Sequence, residues 1–271
     1  PFLASTGQHD GMLNEALSGF GLEVRLSLDV LSHGQSLGDL TAAALRGMST
    51  LFASDSFEAV IVQGDTTTTL ASGLAGFYAR VPVIHLEAGL RTGDPRRPYP
   101  EEMNRRLTAQ IADLHMAPTE SARTNLLREG IASESILVTG NTGIDALMYM
   151  ASHGKPSASV ANVISGHEGP LVLVTAHRRE SWGPPIRAIA RAVRDLSIAH
   201  PKVLFYFPAH PNPIVRKDLL EYLSDPPNAV VAPPVAYADL VCLMKRSHHV
   251  LTDSGGIQEE APALGKPVLV M

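Results

Sequence analysis

The chain has 271 residues, 45% hydrophobic and 18% charged, with a net charge of −5, which is the composition of a globular protein with one large or two medium domains. A net negative chain lacks the basic face that would neutralise nucleic-acid phosphates. Its single cysteine, Cys242, excludes an intrachain disulfide framework, and no stretch approaches the roughly 20 apolar residues that span a bilayer.

From residue 57 onward the predicted elements alternate. FEAVIV (57–62) is a β-branched strand, and TTTTLASGLAGFYAR (66–80) is a helix of small residues. VPVIHL (81–86) is the next strand. The stretch after it, through Arg106, is dense in charge and proline; EEMNRRLTAQIAD then reads as a helix and LHMAP as a strand. SARTNLLREG ends in Gly130, a plausible residue just past a helix, and ILVTG (136–140) leads into a helix from Asn141. Residues 151–170 lose the periodicity and collect Ser, Gly, His and Pro, a linker signature. The rhythm restarts with LVLVTA (171–176), IRAIARAVRDLSIA, VLFYF (203–207), VRKDLLEYL, AVVA, YADLVCLMKRS, HVLTD, a short helix and PVLVM. Alternation of this kind predicts parallel sheets covered by helices on both faces. The expected organisation is two Rossmann-like doubly wound α/β domains, 1–155 and 171–271, joined by a linker at 156–170.

Open α/β sheets bind ligands beyond the carboxyl ends of their strands. Polar residues recur there: Asp65 after the first of these strands, Glu87 after the second, His177 to Glu180 after 171–176, His210 after 203–207, and Ser254 to Gly256 after 249–252. Each has two readings. Asp65 is either a helix N-cap or a carboxylate turned towards a ligand. Glu101, after Pro98 and Pro100, falls in the first turn of a helix, where the dipole favours it, and Glu87 extends a buried strand, where a carboxylate needs a partner or a task. His177 beside Arg178 and Arg179 suits an anionic group, or belongs to a solvated loop.

TDSGGIQEEAPALGKP (252–267) is the most specific feature. Two glycines at a strand–helix turn let backbone amides approach phosphate, Ser254 can donate a further hydrogen bond, and a glutamate in the following turn suits sugar hydroxyls. There is no GxGxxG, GxxxxGK[ST], HExxH or CxxC, which argues against a dinucleotide dehydrogenase, a P-loop enzyme and a structural zinc site. From residues alone the chain is a candidate enzyme acting on a nucleotide-linked small molecule.

Taken together, QGDTTTTLA (63–71), HLEAGLRTGD (85–94), PEEMNR (100–105), GNTGIDAL (140–147), TAHRRESWG (175–183) and LTDSGGIQEEAPALGKPVLVM (251–271) closely resemble the non-hydrolysing UDP-N-acetylglucosamine 2-epimerases, with TGQHDGM (6–12) a looser match. The resemblance spans essentially the whole chain. It implies a GT-B arrangement of the two domains, a cytoplasmic homodimer serving cell-envelope polysaccharide synthesis, and no cofactor. Asp65, Glu87, Glu101 and His177 match the family's catalytic positions. Ser254, Gly255 and Gly256 match its diphosphate contacts, Glu260 its ribose contact, and Arg178 lies in the same anion-binding loop. UDP-N-acetylglucosamine is the implied substrate, and a second molecule of it the implied activator, at Gln8 and His210. The family also has a first strand with a GTRPE-type loop before the position of Pro1, and a loop and helices after that of Met271. The chain therefore reads as an internal portion, with weak or no turnover expected of it alone.

Overall fold

The computed structural model describes residues 1–7, 10–30, 32, 34–176, 182–210 and 212–271, without the side chains of residues 10–12, 14 and 15. The chain divides into two compact units, Pro1–Asn14 with Leu22–Thr142, and Glu15–Gly21 with Gly143–Met271.

The first unit opens with β1 (Ala4–Ser5), α1 (Asp10–Gly19), whose end belongs to the second unit, and β2 (Leu26–Ser27), which pairs parallel with β1. The 18-residue α2 (Leu37–Ser54) precedes the first strand expected from the sequence. Its start is a capping arrangement: Ser36 Oγ accepts from the Asp39 amide at 3.1 Å and donates to the Asp39 carboxylate at 2.7 Å. Then come β3 (Val60–Gln63), α3 (Thr67–Ala79), β4 (Val83–Leu86), α4 (Glu101–Ile111), β5 (Leu114–Ala117), α5 (Glu120–Arg128) and β6 (Ile136–Val138). These four strands form one parallel sheet in the order β3-β4-β5-β6. The small residues of α3 are explained by distance. A Cβ on Gly76 would lie 2.7 Å from Val60 and 3.1 Å from Val83, so only glycine lets the helix sit this close to the sheet.

The second unit comprises α6 (Thr142–His153), α7 (Ala158–Gly166), β7 (Leu171–Thr175), α8 (Pro184–Ala199), β8 (Leu204–Pro208), α9 (Pro213–Leu223), β9 (Ala229–Ala232), α10 (Tyr237–Arg246), β10 (His249–Thr252), α11 (Gly255–Ala263) and β11 (Val268–Val270). Its parallel sheet runs β11-β10-β7-β8-β9. Strand order reverses between β7 and β10, and that switch point is where doubly wound sheets open a crevice. Apolar clusters cover this sheet on two sides, one around Leu147, Val160, Leu173 and Val250, the other around Val174, Ile186, Phe207 and Leu219.

The α/β class and parallel sheets are as expected, but the division differs. It falls at Thr142 and Gly143, not at 155, and 156–170 is no free linker. Nine of those residues form α7, whose Val160 is fully buried in the second core. Ser157 caps this helix while its amide and hydroxyl donate to the Asp239 carboxylate, at 2.6 and 2.8 Å. The polar composition that reads as linker is here a capped helix start.

Candidate active site

In the first unit Gln63 and Leu86 are register partners at the carboxyl ends of β3 and β4, so Asp65 and Glu87 leave the sheet from one edge. Asp65 is not the N-cap. Thr66 takes that place, accepting from the Thr69 amide at 3.2 Å, with further hydroxyl contacts of 2.9 Å to Thr68 and Thr69. The threonine run, poor in helix propensity, is retained for these bonds. The Asp65 carboxylate is instead held by the Arg105 guanidinium on α4, and its main-chain carbonyl accepts from Asn104 Nδ2 at 3.0 Å.

Glu87 has φ +63, a left-handed backbone that costs an ordinary residue about 1–2 kcal/mol. It is exposed, and its carboxylate lies beside Gly64, where an added Cβ would come within 3.6 Å of Glu87 Oε2. Backbone strain of this kind clusters at active sites and ligand clamps, which makes Glu87 a candidate. Glu101 opens α4, one helical turn before Arg105, the residue that holds the Asp65 carboxylate. Glu101 is half-buried, and among the described residues its side chain makes no hydrogen bond or ion pair.

Its neighbour Glu102 is different. It is fully buried, accepting from the Thr92 amide at 3.1 Å and from Arg106 at 3.0 Å, with Arg105 at 3.6 Å. Burial would raise its carboxyl pKa, but the Thr92 amide, Arg106 and Arg105 outweigh burial and hold it below the usual carboxylate range. Arg91 makes a two-pronged pair with Glu129, at 2.8 and 2.6 Å. The charge-dense stretch after β4 is thus mostly ion-paired, down to an exposed Arg97–Asp94 contact at 3.9 Å.

In the second unit the hydroxyls of Thr175 and Thr252, at the ends of β7 and β10, lie 2.7 Å apart and buried, and Thr252 Oγ1 accepts from the Ser254 amide at 2.9 Å. Ser254 caps α11, accepting from the Ile257 amide at 3.5 Å, with Gly255 and Gly256 in the helix's first turn. Gly256 lacks a left-handed φ, and a Cβ there would meet nothing nearer than Ser254 Oγ at 4.0 Å. The fold does not demand glycine at 256, whereas a ligand approaching the amides would. Glu260, half-buried on the same helix, accepts from Tyr237 Oη at 3.5 Å. Burial raises the Glu260 carboxyl pKa, the Tyr237 hydrogen bond opposes this, and Glu259 adds to it; Tyr237 is pushed up to about 12 by its own burial and by Glu260.

His210 Nδ1 accepts from the Asn212 amide at 3.1 Å, and its ring lies 5.5 Å from Trp182. His177, Arg178 and Gln8 lie outside the described residues. Sequence reasoning passed over Thr69, His85, Asn104, Arg105, Tyr237 and Thr252. The signal for His85 was a histidine inside an otherwise apolar strand; for Asn104 and Arg105 it was their spacing from Glu101.

A family model described as UDP-N-acetylglucosamine 2-epimerase matches residues 2–271. The UDP-N-acetylglucosamine 2-epimerase of Escherichia coli K12 is 43% identical over 272 residues, covering 98% of this chain and 72% of that protein. The crystal structure of the UDP-GlcNAc 2-epimerase from Neisseria meningitidis bound to UDP-GlcNAc is 42% identical, with TM-score 0.81, covering 97% of this chain and 72% of that one. A co-structure of S. aureus MnaA with UDP is 41% identical, with TM-score 0.82, covering all of this chain and 71% of that one. With a family model along almost its whole length and relatives of this identity and coverage, the chain belongs to the UDP-N-acetylglucosamine 2-epimerase family.

Proposed function

We propose that the protein interconverts UDP-N-acetylglucosamine and UDP-N-acetylmannosamine by eliminating UDP and adding it back through 2-acetamidoglucal, without net hydrolysis. The observation that carries this reading is the set of three carboxylates on the first unit. Asp65 and Glu87 leave the ends of adjacent strands, and Glu101 opens the helix whose Arg105 grips Asp65. The C2–H of the sugar is not next to a carbonyl and is barely acidic. Its removal therefore has to accompany departure of UDP from C1, with the C–O bond breaking as the C1–C2 double bond forms. Reprotonation at C2 on the other face and return of UDP to C1 complete the inversion, and that demands a base on one face and an acid on the other.

In this reading Asp65 takes the C2 proton, positioned by Arg105, while Glu87 and Glu101 serve reprotonation and orientation of the sugar. Ser254 and the amides of Gly255 and Gly256 hold the diphosphate, Glu260 the ribose, and His177 with Arg178 the leaving phosphate oxygens. A homodimer, a cytoplasmic location and an activator site at Gln8 and His210 belong to the same proposal, resting on the resemblance. The test is proton NMR of UDP-N-acetylglucosamine in D₂O, run with this chain and with a version extended at both ends to the length of its relatives, which also serves for the kinetic comparisons. UDP-N-acetylmannosamine carrying deuterium at C2 is expected, with Asp65→Asn, Glu87→Gln and Glu101→Gln slower by about 10²- to 10⁴-fold. Free UDP accumulating with free N-acetylmannosamine would instead mean hydrolysis, and three variants of normal turnover would remove the carboxylates from the chemistry.

A further inference from the structure

The turn that carries Asp65 is held at three consecutive carbonyl oxygens by side chains from three different elements. Gln63 O accepts from Thr69 Oγ1 of α3 at 2.7 Å. Gly64 O accepts from His85 Nε2 of β4 at 2.8 Å, and Asp65 O from Asn104 Nδ2 of α4 at 3.0 Å. Gly64 is tied a second time, its amide donating to Leu86 O at 3.1 Å, immediately before Glu87. The turn before Asp65 and the strand end before Glu87 are thereby locked to each other.

His85 is the informative member. It is fully buried, and a carbonyl can only accept, so Nε2 bears the proton and Nδ1 the lone pair. That Nδ1 has no partner among the described residues. An apolar side chain would avoid burying an unpaired nitrogen, so the histidine is destabilising in itself unless its Nε2–H bond is needed. Gly64 has φ +72 and its added Cβ would approach Glu87, so the residue cannot fix its own turn through a side chain. The fixing has to come from outside.

We propose that Thr69, His85 and Asn104 are positioning residues of the epimerisation chemistry, clamping the 63–65 carbonyls so that Asp65 and Glu87 keep a fixed separation and orientation. This rests on the reading of Asp65 and Glu87 as the proton-transfer groups. A misplacement of about 1 Å in such a group lowers the rate by about 100-fold without touching binding. His85→Leu and Thr69→Val remove a donor each. His85→Gln keeps an amide N–H near the Nε2 position, and Thr69→Ser keeps the hydroxyl.

The experiment measures kcat, KM and deuterium wash-in at C2 for these four variants and Asp65→Asn, with urea midpoints to establish folding. The expected result is a kcat lowered by about 10- to 100-fold in His85→Leu and Thr69→Val, with KM within about threefold and wash-in falling in parallel. His85→Gln and Thr69→Ser should recover kcat to within about threefold of the parent. Unchanged kcat in folded His85→Leu and Thr69→Val overturns the clamp, as does a folded His85→Gln no better than His85→Leu, or kcat and KM moving together. Should His85→Leu not fold, the Thr69 pair and His85→Gln decide alone. Normal turnover in Asp65→Asn would instead refute the functional reading. Loss there with unchanged His85→Leu refutes only the clamp.

Discussion

Acidification should weaken the first unit through His85 before it reaches the carboxylates. Burial is the largest influence on this imidazole and lowers its pKa from 6.5 to about 4, with the hydrogen bond to Gly64 opposing and the charges of His115 and Arg91 assisting. Between those two values the unfolded chain binds a proton at residue 85 that the folded chain refuses, so stability rises with pH across the window. The contribution is full above about pH 6.5 and lost progressively as pH falls to about 4. A shift from 6.5 to about 4 is worth about 3 kcal/mol at ~1.4 kcal/mol per pH unit, a large share of a typical folding free energy. Glu102 is also held below its ordinary value of 4.5, so its contribution is lost in the same direction but only below about pH 4.5. The assay is urea unfolding of the parent and His85→Gln at pH 4 to 8, since glutamine keeps a donor for Gly64 but does not titrate. The difference between the two should be flat above pH 7 and move by about 3 kcal/mol in favour of the variant by pH 4. A difference independent of pH would refute the neutral, buried histidine.

Glu102→Ala leaves Arg105 and Arg106 without their buried partner and should destabilise by about 3–5 kcal/mol in urea, whereas Glu101→Gln should stay within about 0.5 kcal/mol; equal losses would contradict the division of labour between the two. Glu87→Gly, a substitution the left-handed backbone accepts, should stay folded by thermal unfolding while deuterium wash-in is lost. Gly89→Ala puts a Cβ 2.3 Å from Ala122 O at φ +88 and should cost more than about 2 kcal/mol, seen as a lowered urea midpoint. Gly256→Ala, in helical backbone with open space, should stabilise by about 0.5–1 kcal/mol and weaken UDP binding by about tenfold or more by calorimetry.

The alternation of apolar runs with helical segments was enough to place β3 through β11 and most intervening helices, because the strands of a doubly wound sheet read as short apolar runs between helices. The first 56 residues were passed over, although Ser36 and Asp39 carry the spacing of a capped helix start. The linker reading of 156–170 failed for a physical reason: Ser157 and its neighbours serve Asp239, which is 82 residues away and invisible to a local window. At the candidate site, Glu87 stood out because it extends a buried strand, whereas Asp65 and Glu101 were singled out by the family resemblance, since acidic residues at helix starts are common. Their supports were not. Arg105, Asn104 and His85 act on residues 40, 39 and 21 positions away, beyond any local window, and only His85 stands out in its own element.

The three donors that hold the 63–65 turn enter the chain at different times during synthesis. Thr69 emerges almost with the turn itself, His85 a strand later, and Asn104 only with the returning helix. A chain that has folded β3 and α3 alone would therefore possess Asp65 in sequence without the geometry that makes it useful. If Asp65 and Glu87 are the proton-transfer groups, their mutual placement is a late product of assembly, complete only when β4 and α4 have docked.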